Sequence, residues 1–407
     1  MGLKAYLLLA LLVVVLIAIL IGVELFKNND EASVEPKSLA MTFKGDPRTS
    51  RAFTWYTNNP DTGAVLQIAK GSDIRSFDGK EVMTFAGKSA KLDTGKSGKQ
   101  GVHKAEATGL EPGTEYSYRV GNGSDNGWSE PAVFATEAAA HAGFTFINVT
   151  DSQGVTAKDF ELWSNTLDKA FATFPGAEFI VHNGDLTENP EDEQAWDAFF
   201  GKARKWLTRL PLMPVTGNHD EADGKADRFV SHFNVSANGA EGSIPGTSYS
   251  FDYGDVHFVV MNTESNMKAQ TKWLQTDLAG TDKPWKIVAL HRGPYAGNMY
   301  EKVQDWVSVF DEFGVDLVLQ GHNHEYSRSF PLRGGRKAGE GEGAVYVVTN
   351  TSGQKFNKKK DDLFYHKVHF QNGRQMFAGI TIEGKTLTYQ AYDVAGNMLD
   401  EFAIRHR

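Results

Sequence analysis

The segment EFIVHNGD, residues 178–185, decides the class of fold, because an apolar run ends directly in a glycine and an aspartate. The run from Glu178 to Val181 predicts a β-strand, and Gly184-Asp185 marks the point where the chain leaves it. In α/β structures the carboxyl ends of the strands open into one crevice, where ligands bind. Asp185 is therefore the first candidate residue of a functional site.

The same arrangement occurs four more times along the chain. The apolar runs 144–149, 212–215, 285–290 and 315–319 lead into Asp151-Ser152-Gln153, Gly217-Asn218-His219-Asp220, His291 and Gly321-His322-Asn323-His324. One such motif means little, but five ordered strand ends deliver their side chains to the same crevice. Oxygen and imidazole donors without cysteine suit Mn, Fe or Zn rather than a thiolate site. The sequence therefore predicts a metal site.

Motifs in this order make the chain similar to the calcineurin-like metallophosphoesterases and, among them, to the purple acid phosphatases. The resemblance covers roughly residues 38–400 and implies a hydrolase with two metal ions, divalent or of mixed valence, drawn from Fe, Mn and Zn. Such a pair needs a bridging carboxylate, and Asp185 is the natural candidate. By resemblance, one ion would bind Asp151, Asp185 and His324, and the other would bind Asp185, Asn218, His291 and His322.

Three positions depart from the purple acid phosphatase pattern. Glu188 stands where that subgroup has a tyrosine whose phenolate binds ferric iron, and Gln153 stands where a glycine or histidine is usual. Residues 296–300 lack the histidines that the subgroup has there. Gln153 and Glu188 are candidates for an additional metal ligand. The sequence predicts a centre that is not purple, with activity nearer neutral than strongly acid pH.

His219 and Asp220 are the candidate catalytic residues. His219 is not needed as a ligand, and a histidine beside an acidic residue and a metal site is suited to donate a proton to the leaving oxygen. The resemblance gives this position the role of an acid or of a phosphate donor. Arg292 and Tyr295 follow His291 closely and are weaker candidates for the lining of the substrate pocket.

The length of 407 residues indicates more than one domain. Residues 38–138 alternate with period two between turn signals, which predicts a β-sandwich of about seven strands. Around Tyr116 this region resembles a fibronectin type III domain, with Tyr116 as the corner tyrosine and Trp55 in the core. Residues 143–407 alternate strands with amphipathic stretches, which predict helices at 158–174, 191–206, 269–278 and 303–313. The resemblance implies a four-layer α/β/β/α metallophosphoesterase sandwich.

The N-terminal segment, residues 1–26, predicts export. Residues 5–23 form an apolar run of about 19 residues, near the length that spans a bilayer. We expect a single-pass transmembrane helix with the catalytic domain outside the cytoplasm; the alternative is a cleaved signal peptide and a secreted protein. Residues 27–37 are polar and predict a short tether. A net charge of −9 argues against nucleic acid as a partner.

Together these features predict an exported, metal-dependent phosphoesterase acting on small phosphate esters, as an acid phosphatase-like monoesterase does. Two alternatives stay open. The same site could serve a phosphodiesterase or nucleotidase, or the chain could be a non-enzymatic surface binding protein with a vestigial metal fold. All six expected ligands other than the tyrosine are retained, which favours an enzyme. The sequence does not indicate an oligomeric state.

Overall fold

The computed structural model describes residues 11–20, 33–74, 76–140, 142–222 and 224–406. Residues 11–20 are helical. The rest of the predicted span 5–23, and residues 27–32 of the predicted tether, lie outside the described residues. Within the described ranges, no helix is both long enough and apolar enough to cross a membrane.

The N-terminal region is a sandwich of two four-stranded antiparallel sheets, with strand orders β1-β2-β6-β5 and β4-β3-β7-β8. It has one strand more than the roughly seven expected from the sequence. The strands are β1 (Lys37–Thr42), β2 (Ser50–Thr57), β3 (Val65–Lys70), β4 (Met83–Ala86), β5 (Lys88–Asp93), β6 (Lys99–Thr108), β7 (Glu115–Gly121) and β8 (Ala132–Ala135).

Two residues singled out in the sequence have the expected places in this sandwich. Trp55 of β2 is fully buried in the core between the sheets. The Tyr116 hydroxyl accepts a hydrogen bond of 2.9 Å from the backbone N–H of Glu111, five residues upstream. This is the bond of a tyrosine corner, which fixes the turn at the start of β7.

The second region contains two larger sheets. The first has the order β11-β10-β9-β21-β22-β23, the second the order β12-β13-β14-β15-β19-β16-β20, and β17 pairs with β18 alone. The strands are β9 (Phe144–Val149), β10 (Ala177–His182), β11 (Leu212–Pro214), β12 (Tyr249–Tyr253), β13 (Val256–Val260), β14 (Trp285–Ala289), β15 (Leu317–Gln320), β16 (Tyr326–Ser329), β17 (Leu332–Arg333), β18 (Arg336–Lys337), β19 (Val345–Thr349), β20 (His366–Phe370), β21 (Met376–Glu383), β22 (Thr386–Asp393) and β23 (Met398–Arg405).

Helices cover the outer faces of both sheets, which gives the predicted four layers. They are α1 (Phe160–Thr173), α2 (Glu193–Lys202), α3 (Arg204–Leu207), α4 (Asp227–His232), α5 (Met267–Gly280) and α6 (Gln304–Phe313). The sheets face each other through aromatic side chains, such as Phe146 against Phe258 at 5.3 Å between ring centroids. Trp163 of α1 packs on the other face of the first sheet, and Trp306 of α6 belongs to the core outside the second.

Strand direction is what positions the site. Strands β9, β10 and β11 are parallel, and so are β13, β14, β15 and β19. Each of the five motifs follows one of these strands, so all five reach the same edge of the two packed sheets. The chain leaves β19 at this edge as well.

Candidate metal centre

Two groups of possible ligands form at this edge, and they share one residue. Asp151, Asp185 and His324 make the first group, and Asp185, His291 and His322 make the second; within each group the ligand atoms lie within 4.8 Å of one another. Asp185 is the member common to both. This is the position that a carboxylate bridging two ions has to take.

The donor atoms face one another at short range. Nε2 of His324 lies 3.0 Å from Oδ1 of Asp151, and Nε2 of His291 lies 3.2 Å from Oδ2 of Asp185. Nε2 of His291 also lies 3.2 Å from Oδ1 of Asn218, which brings the predicted amide ligand into the second group. Asp151 and Asp185 are essentially inaccessible to solvent, and two carboxylates so close together need cations to balance them.

The opposite nitrogens of the two rings are held by backbone carbonyl groups. Nδ1 of His291 donates to the carbonyl oxygen of Asn183 at 2.7 Å, and Nδ1 of His324 donates to that of Lys355 at 3.2 Å. Such bonds fix the tautomer and the orientation of a ligating histidine. Nε2 of each ring is therefore the atom available to a metal ion.

Backbone strain concentrates in the same residues. Seven non-glycine residues have a positive φ within the described ranges, and four of them are predicted ligands: Asp151 (53°), Asp185 (55°), His322 (72°) and His324 (47°). Each such residue costs on the order of 1–3 kcal/mol and persists only where the surrounding structure enforces it. The backbone conformation at these four residues therefore destabilises the fold, which is typical of residues in binding sites.

Glycines allow the ligand loops to approach each other. A Cβ atom on Gly217 would lie 2.3 Å from Oδ1 of Asp185, and one on Gly321 would lie 2.3 Å from Oγ1 of Thr150 and 3.0 Å from Oδ2 of Asp151. The glycines that precede Asn218 and His322 in the motifs are thus required by close packing of the loops.

The electrostatics match a site that exchanges protons for metal ions. Burial by itself would lower the pKa of His291, but Asp185 and Asp151 outweigh it and raise this pKa to about 10. Burial, with His291 and Arg292 nearby, lowers the pKa of His322 to about 3, so His322 is a neutral imidazole. Despite burial, the pKa of Asp185 is held below its usual range, chiefly by His291. Metal binding would release the proton of His291.

His219 and Asp220 are close to the centre, but they do not act on each other as the sequence predicted. The carboxylate of Asp220 accepts from the backbone N–H groups of Asp185 (2.7 Å), Leu186 (3.0 Å) and Gly217 (2.9 Å). Asp220 therefore holds two ligand loops together rather than orienting His219. The ring of His219 is oriented by the carbonyl oxygen of Glu188, which accepts from Nδ1 at 2.8 Å.

The two candidates for an additional ligand differ. Gln153 is buried, its Nε2 lies 3.5 Å from Oδ2 of Asp185, and its Oε1 has no hydrogen-bond partner. An unpaired amide oxygen beside the centre is a suitable metal donor. The carboxylate of Glu188 instead forms an ion pair with the ammonium group of Lys355. Gln153 therefore fits the role of an additional ligand better.

Of the two candidates for the substrate pocket, Tyr295 is a buried core residue. Its ring packs against Tyr346 and Tyr365 in the core outside the second sheet, at 4.9 and 5.2 Å between ring centroids. Arg292 is partly exposed, with Nε 3.2 Å from Glu264 and its guanidinium group 5.3 Å from the centre of the Tyr300 ring. Arg292 stays a candidate for the pocket.

The segment 350–357, which follows β19 to the same edge, carries no motif that the sequence pattern indicates. The Thr351 hydroxyl donates to the carbonyl oxygen of Asp151 at 2.6 Å, and the N–H of Gly353 donates to the same oxygen at 3.1 Å. Lys355 supports His324, as described above. The parallel pairing of β19 with β15 explains why this segment reaches the site. It makes 350–357 the sixth segment that follows a parallel strand to this edge.

A third group of possible ligands lies in β20 and in the loop before it. Its members are Asp362, His366 and His369. Both ring nitrogens of His366 are engaged by backbone, with the N–H of Leu363 at 3.0 Å and the carbonyl oxygen of Ala296 at 2.9 Å. The ammonium group of Lys359 lies 2.6 Å from Asp362. These contacts describe a paired surface network, and we assign no metal ion to it.

The two groups around Asp185 fit a pair of metal ions. Their donors are carboxylate, amide and imidazole, which is the mixture that suits Mn, Fe and Zn. Two family models match the chain in succession: purple acid phosphatase, N-terminal domain, over residues 36–136, and calcineurin-like phosphoesterase over residues 144–326.

Residues 144–326 form a calcineurin-like phosphoesterase domain.

Its curated relatives are distant and include purple acid phosphatases. The chain is 26% identical to human acid phosphatase type 7 over 302 residues. The aligned region covers 62% of this chain and 64% of the human protein. It is 28% identical over 270 residues to purple acid phosphatase 15 of Arabidopsis thaliana, covering 56% of this chain and 49% of that one. An uncharacterised protein of Mycobacterium tuberculosis is 28% identical over 187 residues, only 35% of its own length.

A solved structure supports the fold. The purple acid phosphatase PPD1 from yellow lupin seeds superposes with a TM-score of 0.79 at 17% identity, over 91% of this chain and 74% of that one. The arrangement of a β-domain followed by a metallophosphoesterase domain is therefore shared. At this level of identity, the residues of the centre have to be argued from the chain itself.

Proposed function

We propose that the protein is a metal-dependent hydrolase of small phosphate esters, of the acid phosphatase-like monoesterase kind. The single observation that supports this most strongly is the position of Asp185, whose buried carboxylate belongs to two ligand groups at once. Two metal ions held by these groups would neutralise the phosphoryl oxygens and supply an activated water. The match of residues 144–326 to the calcineurin-like phosphoesterase family supports the same class of reaction.

The residues around the centre would have two further roles, namely to hold Asp185 in place and to supply a proton. Asp185 is held in place by the N–H of His219, which donates to its Oδ1 at 2.8 Å, and by the carboxylate of Asp220, which accepts from its N–H. Because Nδ1 of His219 donates to the backbone carbonyl oxygen of Glu188, only Nε2 can face a leaving group. A ring with both nitrogens protonated is the form that can donate there. His219 would thus supply a proton to the leaving oxygen in its imidazolium form.

The donors support a choice of divalent ions. Glu188 takes the place of the phenolate ligand, and Gln153 offers an amide oxygen, so no phenolate donor that favours ferric iron is supplied at these positions. We propose two divalent ions from among Mn, Fe and Zn. A water on divalent ions is less acidic than one on ferric iron, and activity is expected nearer neutral pH.

We also propose that the protein works outside the cytoplasm and is held at the membrane by residues 5–23. The apolar composition of that run, with Lys4 before it, supports the proposal. Carbonate washing of membranes tests it: the protein should stay in the pellet. Recovery from the medium of a chain that begins soon after Val23 would support the secreted alternative instead.

The reaction is tested with p-nitrophenyl phosphate and with its bis ester, each with and without added Mn²⁺. The proposal predicts metal-dependent hydrolysis, faster with the monoester. Faster hydrolysis of the bis ester would make the protein a phosphodiesterase with the same centre. No turnover of either ester with Mn²⁺, Zn²⁺ or Fe²⁺ would contradict the proposal and favour a non-enzymatic role.

A further inference from the structure

Hydrogen bonds hold the segment 350–357 against two ligand motifs, one at Asp151 and the other at His324. Its residues Thr351 and Gly353 hold the carbonyl oxygen of Asp151, as described above. Farther on, the carbonyl oxygen of Lys355 accepts from the ring of His324, and the N–H of Asn357 donates to the His324 carbonyl at 3.3 Å. The backbone at Lys355 is therefore fixed relative to the centre.

From this anchored backbone, the side chain of Lys355 reaches the loop that follows β10. Its ammonium group pairs with Oε2 of Glu188. The other carboxylate oxygen of Glu188 lies 4.0 Å from Nδ1 of His219. The three side chains are partly exposed, with 40% of Lys355 and 29% each of Glu188 and His219 accessible, while the carboxylates of Asp151 and Asp185 behind them are buried. Lys355, Glu188 and His219 therefore line the opening of the centre.

An ion pair at an opening contributes little to folding. Such pairs add little to stability, because water screens them and two flexible side chains must be held. An ammonium group in such a pair exchanges its partner readily. Lysine acts as a point charge towards phosphate, and bonds between two charged groups are the stronger hydrogen bonds. The phosphoryl group of a monoester dianion carries two negative charges against one on Glu188, so it would offer Lys355 a better partner than Glu188 does.

We propose that Lys355 binds a non-bridging phosphoryl oxygen of the substrate and that Glu188 holds its ammonium group when the site contains no phosphate. The inference rests on the proposed function and names its substrate class: phosphate monoester dianions, which keep a charged oxygen for Lys355 after the centre has engaged the others. Glu188 competes with the substrate for the same ammonium group. Diesters, with one charge, should depend less on Lys355.

Four variants of the full chain separate this proposal from a structural role. Lys355→Met removes the ammonium group but keeps the backbone carbonyl that supports His324. Lys355→Arg keeps the charge. Lys358→Met makes the same change of charge on an exposed lysine in the same loop and is the matched control. Glu188→Gln removes the competing carboxylate. Elemental analysis first establishes that all variants hold the same amount of Mn²⁺ as wild type.

Binding of inorganic phosphate to the Mn²⁺-loaded proteins, measured by calorimetry, is the readout that does not depend on turnover. Lys355→Met should weaken binding roughly 10- to 100-fold, the range of a hydrogen bond between charged groups. Lys355→Arg should recover most of the loss, Lys358→Met should bind as wild type does, and Glu188→Gln should bind more tightly. The KM for p-nitrophenyl phosphate should change in the same order, with a smaller effect on the bis ester.

Two results would overturn the inference, and they differ from failure of the proposed function. Equal phosphate affinity in Lys355→Met and Lys358→Met would remove Lys355 from the phosphate site while leaving the hydrolase intact. Weaker binding in Glu188→Gln as well as in Lys355→Met would mean that the pair only supports the loop. Absence of turnover in the metal-loaded wild type would instead contradict the proposed function, and the inference with it.

Discussion

Replacing Gly217 by alanine should disable the centre while the fold survives. The added Cβ would lie 2.3 Å from Oδ1 of Asp185 and 2.5 Å from its backbone nitrogen, where ordinary contacts begin at 3.4 Å. Either Asp185 or the loop of Gly217 must therefore move by about 1 Å. A displacement of this size can cost roughly 10²-fold in rate. We expect at least that loss in kcat/KM for p-nitrophenyl phosphate, with reduced metal content.

The matched control is Gly201→Ala. Gly201 lies in α2 with no atom within 4 Å of its Cβ position, so alanine should be neutral or stabilise the helix by about 0.5–1 kcal/mol. Both variants are compared by turnover with added Mn²⁺, by elemental analysis and by thermal unfolding. A Gly217→Ala protein with full metal content and turnover within threefold of wild type would refute the account of the close-packed ligand loops.

Three further outcomes are expected. His219→Ala should lower turnover about 10²–10⁴-fold with normal metal content, and less for aryl than for alkyl esters; equal losses would remove the proton-donor role. Iron-loaded protein should show no phenolate-to-iron band in its visible spectrum, because Glu188 replaces the tyrosine; a strong band would refute this. Burial opposes the charge of His257, but Asp252 and Asp277 raise its pKa to about 9. Its stabilisation is thus complete below pH 6.5 and lost as pH rises through about 9, so His257→Gln should remove this pH dependence from urea unfolding.

The ligands could be predicted from the sequence because the direction of each strand largely determines where the residue that follows it lies. Asp185 or His291 needs only to follow a parallel strand to arrive at the common edge, and alternation in the apolar runs identifies those strands. The four layers follow from the same pattern, since the predicted helical stretches 158–174, 191–206, 269–278 and 303–313 correspond to α1, α2 with α3, α5 and α6.

The direction of individual side chains could not be predicted in the same way. Asp151 and His324 have positive φ, which no local pattern indicates for these residue types. Tyr295 is close to His291 in sequence, yet it turns into the apolar core outside the second sheet. Asp220 is adjacent to His219, but its carboxylate bonds to backbone N–H groups of two loops. Such orientations depend on contacts between loops that are distant in sequence.

Lys355 was missed for a different reason. The residues after β19 carry none of the Asp, Asn-His or Gly-His motifs of the other strand exits, and the lysine run 358–360 dominates the pattern there. Only the sheet order places β19 beside β15 and brings Lys355 to His324 and Glu188. The order of strands within a sheet depends on long-range pairing, which periodicity along one sequence does not contain.

Metal content of an Asp185→Asn variant tests the central claim most directly. The change removes one negative charge from the residue shared by both ligand groups and keeps its size. Elemental analysis should find about two ions per chain in wild type and weak, incomplete occupancy of both sites in Asp185→Asn, whereas Asn218→Ala should weaken mainly one. Two tightly held ions and unchanged turnover in Asp185→Asn would contradict the account.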